Sequence, residues 1–352
     1  MLDLDRWEAV IRRDPAKRGP ASYRDAVERP LCPGNLARAV ERLLAAQRIL
    51  VVTGFCVIVD DDVCAETDGP PGAVYLAAAL AALRREVRIV VDRFAAPLVR
   101  AGLRIASLAE SMVLEVPQTS DEPSTRRELA LLRDALFADA PGAAQALVSI
   151  EHVGPSHTTD SIAAELRRSG AAEDRIVAAV AEFEALVPSS DRDVCHNMRG
   201  VPIGRTTAPL HVLFERPSRA DEAFVQPYTI GVLDGGNEIG SGSIPWRTWR
   251  EAIASGPAAL TACRVPVDAA IPAGVSNWGA YALGAAVARA AGQRSFLAEW
   301  TAARQRLVIE AMVRNAGAVD GVTKRREPAV DGLALDEYLA VFEELRALGL
   351  SA

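Results

Sequence analysis

With 352 residues, half of them apolar, the chain can bury a sizeable core as one large domain or two ordinary ones. A formal charge of -7 and the lack of a basic stripe with interleaved aromatics exclude nucleic acid as a partner. No apolar run approaches the length that spans a bilayer, which excludes a membrane protein of the helical kind.

The N-terminus, Met1-Leu-Asp-Leu-Asp-Arg-Trp7, has no charged-then-apolar leader. Residues 1–46 read as an N-terminal helical arm. Apolar positions recur at helical spacing over Trp7–Arg13 and Asn35–Gln47, on either side of a connector containing Pro and Gly. Residues 47–352 then read as one α/β domain. Strands are expected at Ile49–Phe55, Val87–Asp92, Met112–Val116, Ala146–Glu151, Tyr228–Leu233 and Leu260–Val267. Helices are expected at Gly72–Leu83, Ala95–Leu103, Ser124–Ala138, Ser169–Leu186, Trp246–Ala254, Trp278–Ala291, Phe296–Val313 and Leu335–Leu348. Apolar strands separated by helices predict a three-layer, doubly wound, mostly parallel sheet. Five dispersed cysteines (Cys32, Cys56, Cys64, Cys195, Cys263) with no C-x-x-C predict reduced thiols in a cytoplasmic protein. Lys17 and Lys324 are the chain's two lysines, so Schiff-base chemistry has few candidates.

Several strand ends carry polar residues. Gly231-Val-Leu-Asp-Gly-Gly-Asn-Glu-Ile-Gly-Ser-Gly follows an apolar run and precedes a helix. Its glycines permit positive φ and close approach to a ligand, although such a stretch can also be a solvated turn. It is neither a G-x-G-x-x-G loop nor a P-loop. Glu66-Thr-Asp-Gly-Pro-Pro-Gly opens a helix, which Thr67 or Asp68 could cap. Glu151 ends a strand, and His152 beside it could be a base, although a lone histidine reads more readily as a rim residue. Arg199 precedes Gly200 and suits a carboxylate clamp, with a surface ion pair as the alternative. Ser276 or Asn277 could cap the next helix, and Asn277 could orient a substrate. The Asp-Gly pairs at Asp320 and Asp331 read as turns.

Taken in order, Thr53-Gly-Phe, Glu66-Thr-Asp-Gly-Pro-Pro-Gly, Ser149-Ile-Glu, Asn197-Met-Arg-Gly, Asp234-Gly-Gly-Asn-Glu-Ile-Gly, Ser276-Asn-Trp-Gly-x-Tyr and Asp320-Gly-Val-Thr resemble the D-glutamate cyclase family from about residue 48 to the end. The chain departs from the family pattern at four positions. Leu233 stands where the family has glycine, His152 where it has arginine, His196 where it has tyrosine, and Ala280 where it has glycine. These positions are expected near the pocket. The additional N-terminal domain of some family members is not expected here. The resemblance implies a hydro-lyase with a small amino-acid substrate: D-glutamate loses water and closes to 5-oxo-D-proline. Under that reading, Asp234, Glu238 and Glu151 are the catalytic carboxylates. Arg199 holds a carboxylate, Asn197, Asn237, Asn277, Thr67 and Asp68 line the substrate site, and the amides of Gly235, Gly236 and Asn237 meet the developing oxyanion. Asp68, Glu151, Asp234 and Glu238 could instead hold a divalent cation, and such oxygen ligands suit Mg²⁺, Mn²⁺ or Ca²⁺. Two alternatives stand beside it. One is a phosphate- or nucleotide-using enzyme with Gly69–Gly72 and Gly235–Gly242 as anion cradles. The other is an amino-acid-binding regulatory protein. Base rates suggest a homodimer.

Overall fold

The structure, a computed structural model, describes residues 3–116, 122–138, 143–215, 224–253 and 256–351. The elements in chain order are α1 (Leu4–Ile11), α2 (Asn35–Ala45), β1 (Arg48–Thr53), β2 (Cys56–Val59), β3 (Asp62–Ala65), α3 (Pro70–Ala82), β4 (Glu86–Asp92), α4 (Ala96–Ile105), β5 (Val113–Val116), α5 (Glu122–Leu136), β6 (Ala146–Ile150), α6 (Thr159–Arg168), α7 (Glu173–Leu186), β7 (Tyr228–Leu233), α8 (Trp246–Ala252), β8 (Ala269–Pro272), α9 (Ser276–Ala290), α10 (Arg294–Glu299), α11 (Ala302–Ala316), β9 (Ala329–Val330), β10 (Leu333–Ala334) and α12 (Leu335–Leu350).

Six strands form one all-parallel sheet in the order β5-β4-β1-β6-β7-β8. The chain winds outward from β1 through β4 to β5, then returns to the middle and winds the other way. Strand direction of growth therefore reverses between β1 and β6, the kind of crevice where open α/β sheets bind ligands. Strand β1 is buried on both faces. Ile49 and Val51 pack into the layer built from α2, α3, α4, α9, α11 and α12, while Leu50 and Val52 face Leu129 and the Leu210–Phe214 turn. Such two-sided burial is why the central strands read as continuous apolar runs.

Four expectations need correction, and the first is that Phe296–Val313 is not one helix but two, α10 and α11, interrupted at Trp300 and Thr301. The sheet's edge strand is β8, not Leu260–Val267, which is irregular apart from an isolated bridge from Cys263 to Ser156. Ala269-Ala-Ile-Pro is short and alanine-rich, so β propensity favoured the wrong run. After β1, where no strand is expected, β2 and β3 form an antiparallel hairpin. The Ser169–Leu186 helix begins only at Glu173, and a separate helix, α6, precedes it, capped by Thr158. The expected helix end at Ala254 lies outside the described residues.

The N-terminal segment docks on the sheet's carboxyl side. Helix α1 packs on α12 and α9. Gly274 donates its amide to Ile11 O, and a Cβ on Gly274 would lie 1.6 Å from Arg13 O. Gly19 has φ +102, and a Cβ there would lie 1.9 Å from Ala252 O. At both contacts the backbones approach too closely for any residue but glycine.

Candidate active site

The carboxyl ends of β1, β6 and β7 converge at the reversal of strand order. Glu151 and Asp234 are the first residues beyond β6 and β7. Glu151 adopts φ +48, a left-handed conformation rare for a non-glycine residue and often met at functional sites. The loop before α3 closes tightly over this edge. At Gly69, with φ +96, a Cβ would sit 2.8 Å from Thr53 Oγ1 and 2.9 Å from the Glu151 Cβ.

Two helix starts cap each other across this edge. The Asp68 carboxylate accepts from the amides of Ser276 and Asn277 at 3.0 and 2.8 Å, satisfying the first turn of α9. Asn277 Oδ1 accepts from the amides of Gly69 and Gly72 at 3.0 and 2.7 Å, satisfying the start of α3. Asn277 Nδ2 donates to Thr67 O at 3.0 Å. Thr67 Oγ1 donates to Ala329 O. Asn277 and Thr67 therefore brace the loops, and neither is among the residues that line the cavity here. Neither Thr67 nor Asp68 caps α3 by its side chain, and neither Ser276 nor Asn277 caps α9 by its own. Local sequence suggested self-capping, but the caps are exchanged between elements over 200 residues apart.

The central loop is organised by its own acid. Glu238 Oε1 accepts from Gly235 N at 2.9 Å and Oε2 from Gly236 N at 2.8 Å. Those two amides are therefore committed to Glu238, which leaves only the Asn237 amide of the expected oxyanion hole. The amides of Gly240 and Gly242 bond Val265 O, so the two glycine loops offer few free donors for a phosphate. Asn237 Nδ2 donates to His196 O, whereas Asn237 Oδ1 is buried with no partner. Asn197 Oδ1 accepts from the amides of Arg199 and Val201, closing a turn that presents Arg199 outward.

Residues far away in sequence complete the site. Arg18, from the connector between α1 and α2, forks onto Asp331 (Nη1 to Oδ2 2.9 Å, Nη2 to Oδ1 2.8 Å) and also bonds Asp234 Oδ2. Asp14 shapes the presenting turn by accepting from the amides of Arg18 and Gly19. Asp320 accepts from the amides of Val322 and Gly332, which fixes the turn carrying Asp331. Asp320 and Asp331 were expected as plain turn formers. Arg18 and Asp331 lacked any local signal, because one sits in an irregular connector and the other in an ordinary Asp-Gly pair.

A cavity of about 460 Å³ opens here, within the usual range for small-molecule sites. Acids (Glu66, Glu151, Asp234, Asp331) line its floor together with Asn237 and Arg18. Arg199, Lys324, Ile58 and Val322 are among the residues nearer its opening. Glu238, Asp68, Gly235 and Gly236 stand behind this lining. None of the four family departures lines it. His152 is fully buried, its ring facing Gly54 O and Ala208 O, and is not a rim residue. Leu233 belongs to the core with Trp246 and Trp249. Ala280 packs on Gly72 in the α3–α9 seam. His196 is buried beside the central loop, and its carbonyl holds Asn237.

Electrostatics follow from burial. Glu66, Asp68, Glu151, Asp234, Glu238 and Asp331 are all buried, and among the described residues the one cation bonded to them is Arg18. Desolvation, reinforced by neighbouring acids, pushes Glu66 and Glu151 well above the usual carboxylate range and Asp68 up to about 7. Burial holds Asp234 well above that range too, with Arg18 pulling the other way. Acids whose pKa is higher in the folded chain stabilise it at low pH and lose that contribution as pH rises through the folded value. The four histidines work oppositely. All are buried, and desolvation lowers His157 to about 3 and His211 well below its ordinary value. Their contribution is lost as pH falls below the unfolded value of about 6.5. The ligand-free protein should therefore melt higher at about pH 6.5 than at pH 8, and lower again toward about pH 5. Melting curves across that range check it; a Tm that climbs steadily to pH 8 contradicts the buried-acid picture.

Comparison with known proteins fits this geometry. The chain matches the family model described as D-glutamate cyclase-like, C-terminal, over residues 8–169 and 161–346. It is 30% identical over 280 residues to the mitochondrial D-glutamate cyclase of Homo sapiens, covering 80% of this chain and 38% of that protein. The matched part of that relative is thus well under half its length. No helix among the described residues is long and apolar enough to cross a membrane. With the family model matched over most of its length, the chain belongs to the D-glutamate cyclase-like, C-terminal family.

Proposed function

We propose that the chain is a hydro-lyase that closes D-glutamate, or a close amino-acid analogue, to 5-oxo-D-proline and water. The observation that carries the reading is a pair of orphaned acceptors. Glu151 Oε2 and Asn237 Oδ1 are buried, have no partner among the described residues, and belong to side chains that line the same cavity. Unpartnered buried acceptors are costly, so a ligand that donates there is favoured. A substrate ammonium offers three N–H donors and a positive charge to a site rich in acids.

The same groups suit the proton traffic. An ammonium must lose two protons as the amide forms, and one γ-carboxylate oxygen must leave as water carrying them. A carboxylate has to take protons and a carboxylic acid has to give them. Burial raises both Asp234 and Glu151, but Asp234 is bonded to the Arg18 guanidinium, which favours its ionised form, so it suits the first task. Glu151, to which no cation is bonded among the described residues, suits the second. Glu238 acts through the central loop, since both its oxygens bind backbone amides. Positioning supplies much of the rate of a five-membered ring closure.

The test is incubation with D-glutamate, L-glutamate and their analogues, followed by mass spectrometry for loss of water. Product from D-glutamate is expected, and its absence with every isomer and analogue sinks the reading. A cation version stays open to the same assay. Asp68, Asp234 and Asp331, and separately Glu151, Asp234 and Glu238, each bring three acid oxygens within 4.8 Å of one another. These hard oxygen donors suit Mg²⁺, Mn²⁺ or Ca²⁺. Arg18 already spans Asp234 and Asp331, so activity is expected to survive chelation. Loss on stripping, with recovery on adding one of these ions, would favour the cation version.

A further inference from the structure

Lys324, one of two lysines in the chain, reaches the cavity that Arg199 also lines. The structure assigns Lys324 and Arg199 as a paired clamp for the carboxylate that stays on the substrate, the α-carboxylate. This rests on the reading above and sets which end of the substrate goes in first.

Three observations carry it. Among the described residues neither cation has an acid within salt-bridge distance; Lys324 Nζ has only a long 3.4 Å contact to Ile58 O. The two cations are close enough for Arg199 to help depress the Lys324 ammonium, after burial, while Glu66 in the same cavity pulls the other way. Two like charges side by side with no acid bonded to either favour an anion between them. Next, Lys324 is held in place at a cost. Its backbone sits at φ +63, and its amide bonds Asp320 O in the turn that also carries Asp331. A strained, over-determined residue at a cavity is where a functional constraint is expected. Last, Arg18 is not free for this task, because its fork is spent on Asp331 and Asp234.

Substrate chemistry fixes the orientation. As the ring closes, the amine and the γ-carbon join, and the α-carboxylate is the one charged group left outside the ring. The acid floor with Glu151 and Asn237 receives the amine. That leaves the α-carboxylate turned toward Lys324 and Arg199. The site therefore selects amino acids with a free α-carboxylate, and it should discriminate against the α-amide, in which that charge is gone.

The test is steady-state kinetics of wild type, Lys324→Met and Lys324→Arg on D-glutamate and on its α-amide, which keeps the reacting γ-carboxylate. Lys324→Met should raise KM for D-glutamate about tenfold or more with a much smaller change in kcat, the worth of one charge-assisted contact. It should leave the slower α-amide reaction nearly unchanged, and Lys324→Arg should recover most of the loss. A structural role for Lys324 would penalise both substrates alike. Equal losses, or an unchanged KM for D-glutamate, overturn the clamp. If wild type turns over neither substrate, the proposed reaction fails, and titration calorimetry with 5-oxo-D-proline and its amide still decides the clamp. Tighter binding of the acid that Lys324→Met abolishes supports it; equal binding of the two overturns it.

Discussion

Asp234→Asn should lower kcat by about two to four orders of magnitude, the usual span for a general acid–base group, while moving Tm by no more than a few degrees. The side chain lies just past β7 and lines the cavity, so the change removes no core packing. Asparagine is nearly isosteric with aspartate. It keeps an oxygen that can accept from Arg18, and Arg18 retains its two-pronged contact with Asp331. One negative charge also leaves a cluster where acids outnumber cations, which offsets part of the weakened ion pair. What the amide cannot do is accept a proton from the substrate amine. KM should change little, because Glu151 and Asn237 still receive that amine. Paired measurement of Tm and product formation checks this. Near-normal turnover with unchanged melting would remove Asp234 from the chemistry and leave Glu151 as the acid to replace next.

The contrast between what the sequence disclosed and what it hid has a physical basis. The central strands were legible because parallel strands buried on both faces must be almost wholly apolar, as Ile49–Val52 and Ile89–Val91 are. The acids at strand ends were legible because an acid straight after such a run has nowhere to go but the edge. Asp234 and Glu151 fall in this class. Glu238 was legible as an acid but not in its role, since nothing local says that it folds back on Gly235 and Gly236. The exchanged caps of Asp68 and Asn277 were hidden for the same reason. Each residue looks like a cap for its own helix and serves the other's. Arg18 and Asp331 were the least legible, because their meaning lies in a contact across 313 residues. The N-terminal segment read as an arm beside the domain, yet it places the guanidinium that pairs with Asp234 and Asp331. A lone arginine in a connector carries no periodicity and no motif, and only the close backbone contacts at Gly19 and Gly274 bring it there.

Arg18→Met should cause the largest loss of stability of any single change in the site. Methionine preserves much of the apolar stem and removes the fork, stranding Asp234 and Asp331 in a buried cluster of acids. Removing one partner of a buried ion pair costs about 3–5 kcal/mol, and the upper part of that range is reduced here because the guanidinium side chain is 18% exposed. A fall in Tm of the order of 5–10 °C near pH 8 is expected. The loss should depend on pH. Arg18 opposes the burial that raises Asp234, so without it the carboxyl climbs further and is more easily protonated. A bound proton then does part of the work of the missing guanidinium. Since a raised folded pKa gives stability that is present at low pH and lost as pH rises, the gap from wild type should narrow as pH falls from about 8 toward 6. Adding Asp331→Asn to Arg18→Met removes one stranded acid and should recover part of the Tm, whereas Asp331→Asn alone should destabilise or be neutral. That non-additivity is the signature of a direct pair. If Arg18 merely pinned the connector to the sheet edge, its loss would release the Asp14–Ser22 turn equally at every pH, and Asp331→Asn would not rescue it. A pH-independent deficit with no recovery in the double variant would therefore assign Arg18 to docking, and the balance of charge in the cavity would have to come from a bound cation or from the substrate ammonium itself.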